Sequence, residues 1–170
     1  MGYIFEEKQQ IRFVGFEKTL VADKCIGACP AFRSEVFSTY VTPVQERGEL
    51  ATETEAVVQA AHVGEFEIAH FDDCEPGQVK YMIAGIWQEG PVPEGMTTLT
   101  VPAGLWAKVP VDCVLANGIT MMGDRICGYW MSGQHVYEAS MKLLMEYVPE
   151  NAEAGKDQGG IWIPVKEHQF

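Results

Sequence analysis

Basic residues are scarce in this sequence. Its 170 residues include 12 lysines and arginines against 24 aspartates and glutamates, which gives a formal net charge of −12. A general nucleic-acid surface needs clustered lysine and arginine side chains to contact phosphates. We therefore expect no direct binding to nucleic acid, and a surface that attracts cations instead.

Long apolar runs are also absent. No stretch approaches the ~20 apolar residues that a membrane-spanning helix needs. No early basic segment leads into an apolar stretch, as it would in a secretory signal peptide. We expect a cytoplasmic protein without a membrane partner.

The sequence lacks the patterns of disulfide frameworks and metal sites. The five cysteines are odd in number and scattered: Cys25, Cys29, Cys74, Cys113 and Cys127. The first two have no second Cys/His pair downstream at the spacing of a zinc finger. There is also no Ser-His-Asp order, Walker loop or dinucleotide fingerprint. We expect reduced thiols and neither a metal nor a cofactor.

What the sequence does have is apolar content. Hydrophobic residues make up 47% of the chain. A chain of this length can bury a substantial core without disulfides or metals. We predict a single domain that spans residues 1–170.

The first half of the chain, residues 1–90, predicts a strand, a helix and a β-hairpin. Residues 5–22 open with polar side chains and continue as a β-branched and aromatic run from Ile11 to Val21, which predicts the strand. After a break at Cys29-Pro30, apolar side chains recur at helical spacing until Pro43, which should end or kink that helix. The helical side chains are Phe32, Val36, Phe37 and Tyr40. Core packing is the plain interpretation of this stripe, and a pocket wall is the alternative.

The remainder of the first half contains a capping box and two strands. Thr52 to Glu55 resembles a capping box ahead of a short helix. Residues 66–71 alternate apolar and polar side chains, which predicts a half-buried strand with Glu67 on its polar side. An acidic turn then leads into residues 80–87, and the two strands predict a hairpin.

The second half, residues 91–170, repeats this order after a loop rich in turn formers at 89–96. The predicted elements are a strand at 98–111 with a kink at 102–104, a helix at 115–131, and strands at 136–148 and 160–166. The repetition predicts an internal duplication of βαββ halves. We therefore predict an α+β fold with pseudo-twofold symmetry, antiparallel sheets backed by helices, and a ligand cleft between the halves.

Several segments together resemble the GyrI-like effector-binding domain, which includes the ligand-sensing halves of AraC-type and MerR-type transcription regulators. The resemblance covers the C-terminal half well and the N-terminal half mainly by element order. The matching segments are YMIAGIW at 81–87, VPAGLWAKV at 101–109, YWMSG at 129–133, VYE at 136–138, MEY at 145–147 and IWIPV at 161–165.

The resemblance implies a cleft in which a buried glutamate on the penultimate strand neutralises a cationic lipophilic ligand that stacks on aromatic rings. Glu146 stands at that glutamate's position, and Trp162 stands where the family often has an aromatic residue on the last strand. We therefore expect Trp162 to be a stacking surface beside Glu146. The other predicted ligand-binding residues are Trp106, Trp87, Tyr40, Phe37, Met122 and Tyr129.

The N-terminal segment is too short and strand-like to hold a helix-turn-helix. The resemblance therefore implies a stand-alone multidrug-binding member, like those that integron cassettes encode. Its partner would be a small cationic or aromatic molecule. A separate regulator or another protein would be a candidate partner that senses the bound ligand.

Other interpretations stay open at this stage. Glu146 would be unremarkable if it faced water or paired with Lys142 at a sheet edge. Some relatives hydrolyse small electrophiles with the buried glutamate and a tyrosine. Tyr147 cannot serve with Glu146 because adjacent strand residues point to opposite faces, which leaves Tyr40 or Tyr129. Some relatives inhibit DNA gyrase, so a protein-interaction inhibitor is a further alternative.

Overall fold

The computed structural model describes residues 4–71, 74–109, 136–148 and 160–167. The predicted helix at 115–131, with Met122 and Tyr129, lies outside these residues. The described strands are β1 (Ile4–Lys8), β2 (Ile11–Val21), β3 (Phe66–His70), β4 (Gln78–Ile86), β5 (Thr97–Val101), β6 (Gly104–Val109), β7 (Tyr137–Ala139), β8 (Leu143–Tyr147) and β9 (Gly160–Glu167). The described helices are α1 (Cys25–Val36), α2 (Thr42–Arg47) and α3 (Glu53–Ala61).

The strands form one antiparallel sheet in the order β1-β6-β9-β8-β3-β4-β2-β5, with β7 paired to β9. The order is symmetric about the central pair β8 and β3. On one side, the hairpin strands β3 and β4 are followed by β2; on the other, β8 and β9 are followed by β6. The predicted α+β fold with duplicated halves and pseudo-twofold symmetry is confirmed.

The outermost strands are exchanged between the halves, which the sequence did not predict. β1 pairs with β6 of the second half, and β5 pairs with β2 of the first half. The strand predicted at 98–111, with a kink at 102–104, is therefore two strands, β5 and β6, which separate at the predicted kink. Pro102 lacks the N–H that would continue a ladder, so β5 and β6 separate there and join different neighbours.

Two other strand predictions need the same correction. The predicted strand at 5–22 is β1 and β2, separated at residues 9–10. The predicted strand at 136–148 is β7 and β8, separated at residues 140–142. Between β1 and β2 the chain changes its pairing partners, from β6 to β4 and β5. β7 and β8 both pair with β9, and β8 also pairs with β3.

The predicted break at Cys29-Pro30 is also wrong, because Pro30 lies inside α1. Proline cannot donate to the carbonyl four residues earlier, which belongs to Ile26. Ile26 is 78% exposed, so water can satisfy that carbonyl. The helix continues past Val36 through a π-helical stretch, Phe37–Val41, into α2, where Pro43 lies in the first turn.

The three helices cover one face of the sheet, which we call the helix face. Phe32 and Val36 of α1 are buried there together with Val58 of α3 and Ile83 of β4. The N-cap of α3 forms as predicted, since the Thr52 hydroxyl accepts a hydrogen bond from the Glu55 backbone N–H at 3.1 Å. None of the described helices is long and apolar enough to cross a membrane.

The other face, which we call the curled face, packs on itself. Val101 of β5 and Trp106 of β6 lie towards opposite ends of the strand order, yet they share one buried cluster with Phe13 and Met82. Only a sheet that curls into a half-barrel brings such distant strands together. The curled face is therefore an apolar core built by strands alone among the described residues.

Candidate functional site

Two carboxylates face each other at the centre of the sheet. Glu67 of β3 and Glu146 of β8 are direct partners in the antiparallel register, and their side chains are 1% and 3% exposed. Directly opposed residues have Cβ atoms about 4.5–5.5 Å apart on the same face. That face is the helix face, because Ala69 and Leu144, two residues further along each strand, belong to the helix-side core. The pseudo-twofold axis passes between the two glutamates.

Glu67 has two polar partners from the first half. The Tyr81 hydroxyl of β4 donates a hydrogen bond to Glu67 Oε1. The Nε atom of Arg33 lies 3.6 Å from the same oxygen. The second oxygen, Oε2, is buried and accepts no hydrogen bond from a described residue. Burial raises the pKa of Tyr81 well above its usual range, and the adjacent Glu67 carboxylate raises it further, so this hydroxyl stays protonated as a donor.

Arg33 reaches Glu67 from α1 and also contacts an aromatic ring. Its guanidinium carbon lies 4.1 Å from the centre of the Phe37 ring, one helical turn further along the chain. Its Nε–H is buried and makes no hydrogen bond to a described residue. The side chain as a whole is 25% exposed. Arg33 is therefore held by charge and by the face of the ring rather than by directed hydrogen bonds.

A cavity of about 370 Å³ lies beside this cluster, and Arg33 and Phe37 form part of its wall. Gly64 lets the Phe37 ring approach the backbone: a Cβ there would lie 2.7 Å from the ring, and its φ of +114° disfavours other residues. The remaining wall is formed by Val41, Val44, Gln45, Val58, Gln59, His62, Val63, Glu65 and Val148. The cavity wall thus combines apolar side chains, mainly valines and Phe37, with five polar or charged ones.

Four of the predicted site residues lie on or against the helix face. Glu146 is buried on the strand that precedes the last one, so its exposure to water, the plain alternative, is wrong. Phe37 lines the cavity. The Tyr40 ring stacks on Phe16 with 4.1 Å between ring centres, and Trp87 packs against the helix-side core.

The expected position of Trp162 beside Glu146 is wrong. In the register of β8 and β9, Glu146 is opposite Ile161 and Trp162 is opposite Met145. Neighbouring strand residues point to opposite faces, so Trp162 belongs to the curled face. The Nζ atoms of Lys8 and Lys108 lie 4.2 and 5.6 Å from the centre of the Trp162 ring.

Trp106 is likewise separated from the carboxylates. It is 1% exposed and sits in the curled-face core. The structure therefore brings Glu146 and Phe37 to one face, and it brings neither Trp106 nor Trp162 to that face.

Sequence reasoning missed Glu67 and Arg33. The alternating pattern at 66–71 predicted Glu67 on a solvent side, but β3 is a central strand and helices cover the face that Glu67 points to. The duplication itself offered a signal. If β3 and β8 are equivalent, Phe66-Glu67-Ile68 aligns with Met145-Glu146-Tyr147, so the reasoning applied to Glu146 also applied to Glu67.

No protein-family model and no curated protein matches the chain. Solved structures do match, over nearly the whole length. SAV2435 bound to tetraphenylphosphonium aligns with a TM-score of 0.65 at 14% identity, over 98% of this chain and 94% of that one.

Two further structures show the same fold. A Staphylococcus aureus MU50 protein named for a proposed role in bacterial transcription regulation gives a TM-score of 0.65 at 15% identity, covering 98% of this chain and 99% of that one. An integron cassette protein from the mobile metagenome of Vibrio cholerae gives 0.54 at 10% identity, covering 98% and 96%. The chain therefore shares its fold with these three proteins.

Proposed function

We propose that the protein binds small lipophilic cations, above all aromatic ones. The site is on the helix face of the sheet, where the two halves meet. The observation that carries this proposal is the pair of buried carboxylates, Glu67 and Glu146, in direct opposition on the central strands. Two carboxylates in one low-dielectric place favour a cation nearby, because burial removes the water that would otherwise stabilise their charge.

The cavity supplies the apolar part of the site. Burial of ligand surface against its valine-rich wall contributes roughly 25 cal/mol per Å². The face of the Phe37 ring adds about 0.5–2 kcal/mol of cation–π attraction for a positively charged ligand. Apolar contact therefore provides most of the affinity, and the carboxylates select for positive charge.

The fold shared with SAV2435 supports the same ligand class, since that protein is bound to tetraphenylphosphonium. This ion combines one positive charge with four aromatic rings. It is therefore a suitable probe for a site with carboxylates beside apolar walls.

The test is a titration that follows tryptophan fluorescence or heat with three matched probes. They are tetraphenylphosphonium, neutral triphenylphosphine oxide and the tetraphenylborate anion. We expect the cation to bind more tightly than either of the others. Equal affinity for cation and neutral probe, or preference for the anion, would contradict the proposal.

A hydrolase is the second candidate, and one contact favours it. The Tyr81 hydroxyl donates a hydrogen bond to the buried Glu67 carboxylate, so a tyrosine–glutamate pair exists, although not the Glu146 pair with Tyr40 or Tyr129 that the sequence suggested. Such a pair can protonate one atom of a strained electrophile while the carboxylate activates water. The test is product formation from a strained epoxide. This activity should be lost in both Glu67→Gln and Tyr81→Phe; activity that survives both changes would exclude the pair.

A further inference from the structure

The Arg33 side chain already occupies the surroundings that the proposed ligand requires. Its guanidinium lies over the Phe37 ring at 4.1 Å, its Nε lies 3.6 Å from Glu67 Oε1, and the residue lines the cavity. These are the three features that a lipophilic cation would use: an aromatic face, a carboxylate and an apolar wall. An internal cation and an external cation cannot both fill this place.

The contacts that hold Arg33 are suited to exchange. Arginine binds carboxylates most strongly through two parallel hydrogen bonds, with N···O distances of about 2.7–2.9 Å. The contact of Nε with Glu67 is longer, and the buried Nε–H has no hydrogen-bond partner among the described residues. One quarter of the side chain is exposed, so the Arg33 side chain reaches the solvent.

We propose that Arg33 is a resident counter-ion that a bound cation replaces, and that it thereby sets which cations bind. This inference rests on the proposed function. In the unliganded protein Arg33 compensates the buried Glu67 charge. On binding, the ligand cation takes the place over Phe37 and beside Glu67, and the guanidinium moves into water.

Exchange has a consequence for selectivity. Because one positive charge leaves as another enters, the Coulombic gain at Glu67 largely cancels. The net affinity then depends on what the ligand adds beyond its charge, which is apolar and aromatic contact. Small hydrated cations add none of this and are rejected, whereas bulky aromatic cations are accepted.

The first measurement is calorimetric titration of tetraphenylphosphonium at pH 8 into the wild type, Arg33→Met and Arg47→Met. Methionine keeps the length and apolar stem of Arg33 and removes its charge. Arg47 is a matched control, because it pairs with Glu55 on the surface and its replacement changes the net charge equally. We expect Arg33→Met to bind the cation about tenfold more tightly and Arg47→Met to bind within about twofold of the wild type.

The second measurement uses the wild-type protein and needs no destabilised variant. The Arg33 Nε–H signal in a proton–nitrogen NMR spectrum is assigned with Arg33→Lys, which keeps a cation near Glu67. The Phe37 ring shifts this signal in the unliganded protein, and we expect saturation with tetraphenylphosphonium to move it to the position of a solvated arginine.

The outcomes separate the two proposals. Cation binding with an unmoved Arg33 signal, or with affinity unchanged or weakened in Arg33→Met, would overturn the counter-ion role alone. Absence of binding to both the folded wild type and folded Arg33→Met would overturn the proposed function and this inference together. Binding to Arg33→Met but not to the wild type would support both.

Discussion

The two faces of the central sheet differ in what they bury. The curled face buries an apolar cluster that includes Phe13, Met82 and Trp106. The helix face buries an apolar core as well, but it also holds Glu67 and Glu146, with Tyr81 and Arg33 around Glu67. Buried charges add little or nothing to stability compared with apolar side chains of the same shape. The carboxylate pair is the difference on which we base the proposal that a cationic ligand binds on the helix face.

The largest effect should come from the curled face. Trp106→Ala removes a fully buried side chain, so we expect the free energy of unfolding to fall by about 3–5 kcal/mol in chemical denaturation. Affinity of the folded fraction for tetraphenylphosphonium should not change. If the Trp106→Ala variant does not fold, the milder Trp106→Phe variant is used for both measurements. Lost cation binding with full stability would mean that the curled face is the binding face.

On the helix face, the expected effect is on binding rather than on stability. Glu146→Gln preserves shape and removes the charge, so we expect the affinity for tetraphenylphosphonium to fall about tenfold or more while triphenylphosphine oxide binds as before. Glu67→Gln should weaken cation binding less, because the displaced Arg33 charge largely cancels the Coulombic gain beside Glu67. An equal loss for both probes would show that Glu146 contributes shape and not charge.

The aromatic residues give a matched comparison between the faces. Phe37→Leu should weaken cation binding by about 0.5–2 kcal/mol, because Phe37 lines the cavity. Trp162→Leu should leave it within about twofold, because Trp162 belongs to the curled face. Calorimetry on the two variants checks both. The reverse order of losses would restore the expectation that Trp162 stacks on the ligand.

The smallest effect concerns a hydrogen-bonded pair on the curled side of the sheet. Glu17 Oε2 lies 2.9 Å from His70 Nε2, and the hydrogen bond from His70 lowers the pKa of Glu17. Its folded-state pKa is below its unfolded value, so the pair stabilises the protein above the usual glutamate range, and the stabilisation is lost as the pH falls through the lowered pKa. The melting temperature of Glu17→Gln should be below that of the wild type at pH 6, and the two should converge as the pH falls below the lowered pKa of Glu17. A constant difference across this range would exclude the linkage.

The position of Glu146 was predictable because its neighbours in the sequence are apolar and a family resemblance assigned it a role. The burial of Glu67 was harder to predict. The alternation of apolar and polar residues along β3 does not show whether the face with Glu67 is covered by water or by helices. The predicted position of Trp162 beside Glu146 was wrong for another reason. The face of each strand residue follows from alternation, but which residues of two strands lie opposite each other depends on register, and a shift of one residue exchanges the faces.

The exchange of β1 and β5 between the halves could not be predicted from the sequence, for a similar reason. Residues 98–111 have β propensity throughout, and propensity does not name the pairing partner. Helix α1 shows the opposite case. A proline that predicts a break is tolerated here inside a helix, one turn after Ile26, which is mostly exposed to water.

The most direct measurement of the binding face is a crystal structure of the protein with tetraphenylarsonium, whose arsenic atom is located by its anomalous scattering. We expect one arsenic peak on the helix face, beside Phe37 and the carboxylates of Glu67 and Glu146, with the Arg33 guanidinium displaced. A peak on the curled face beside Trp162, or ordered ligand with Arg33 still against Glu67, would contradict it.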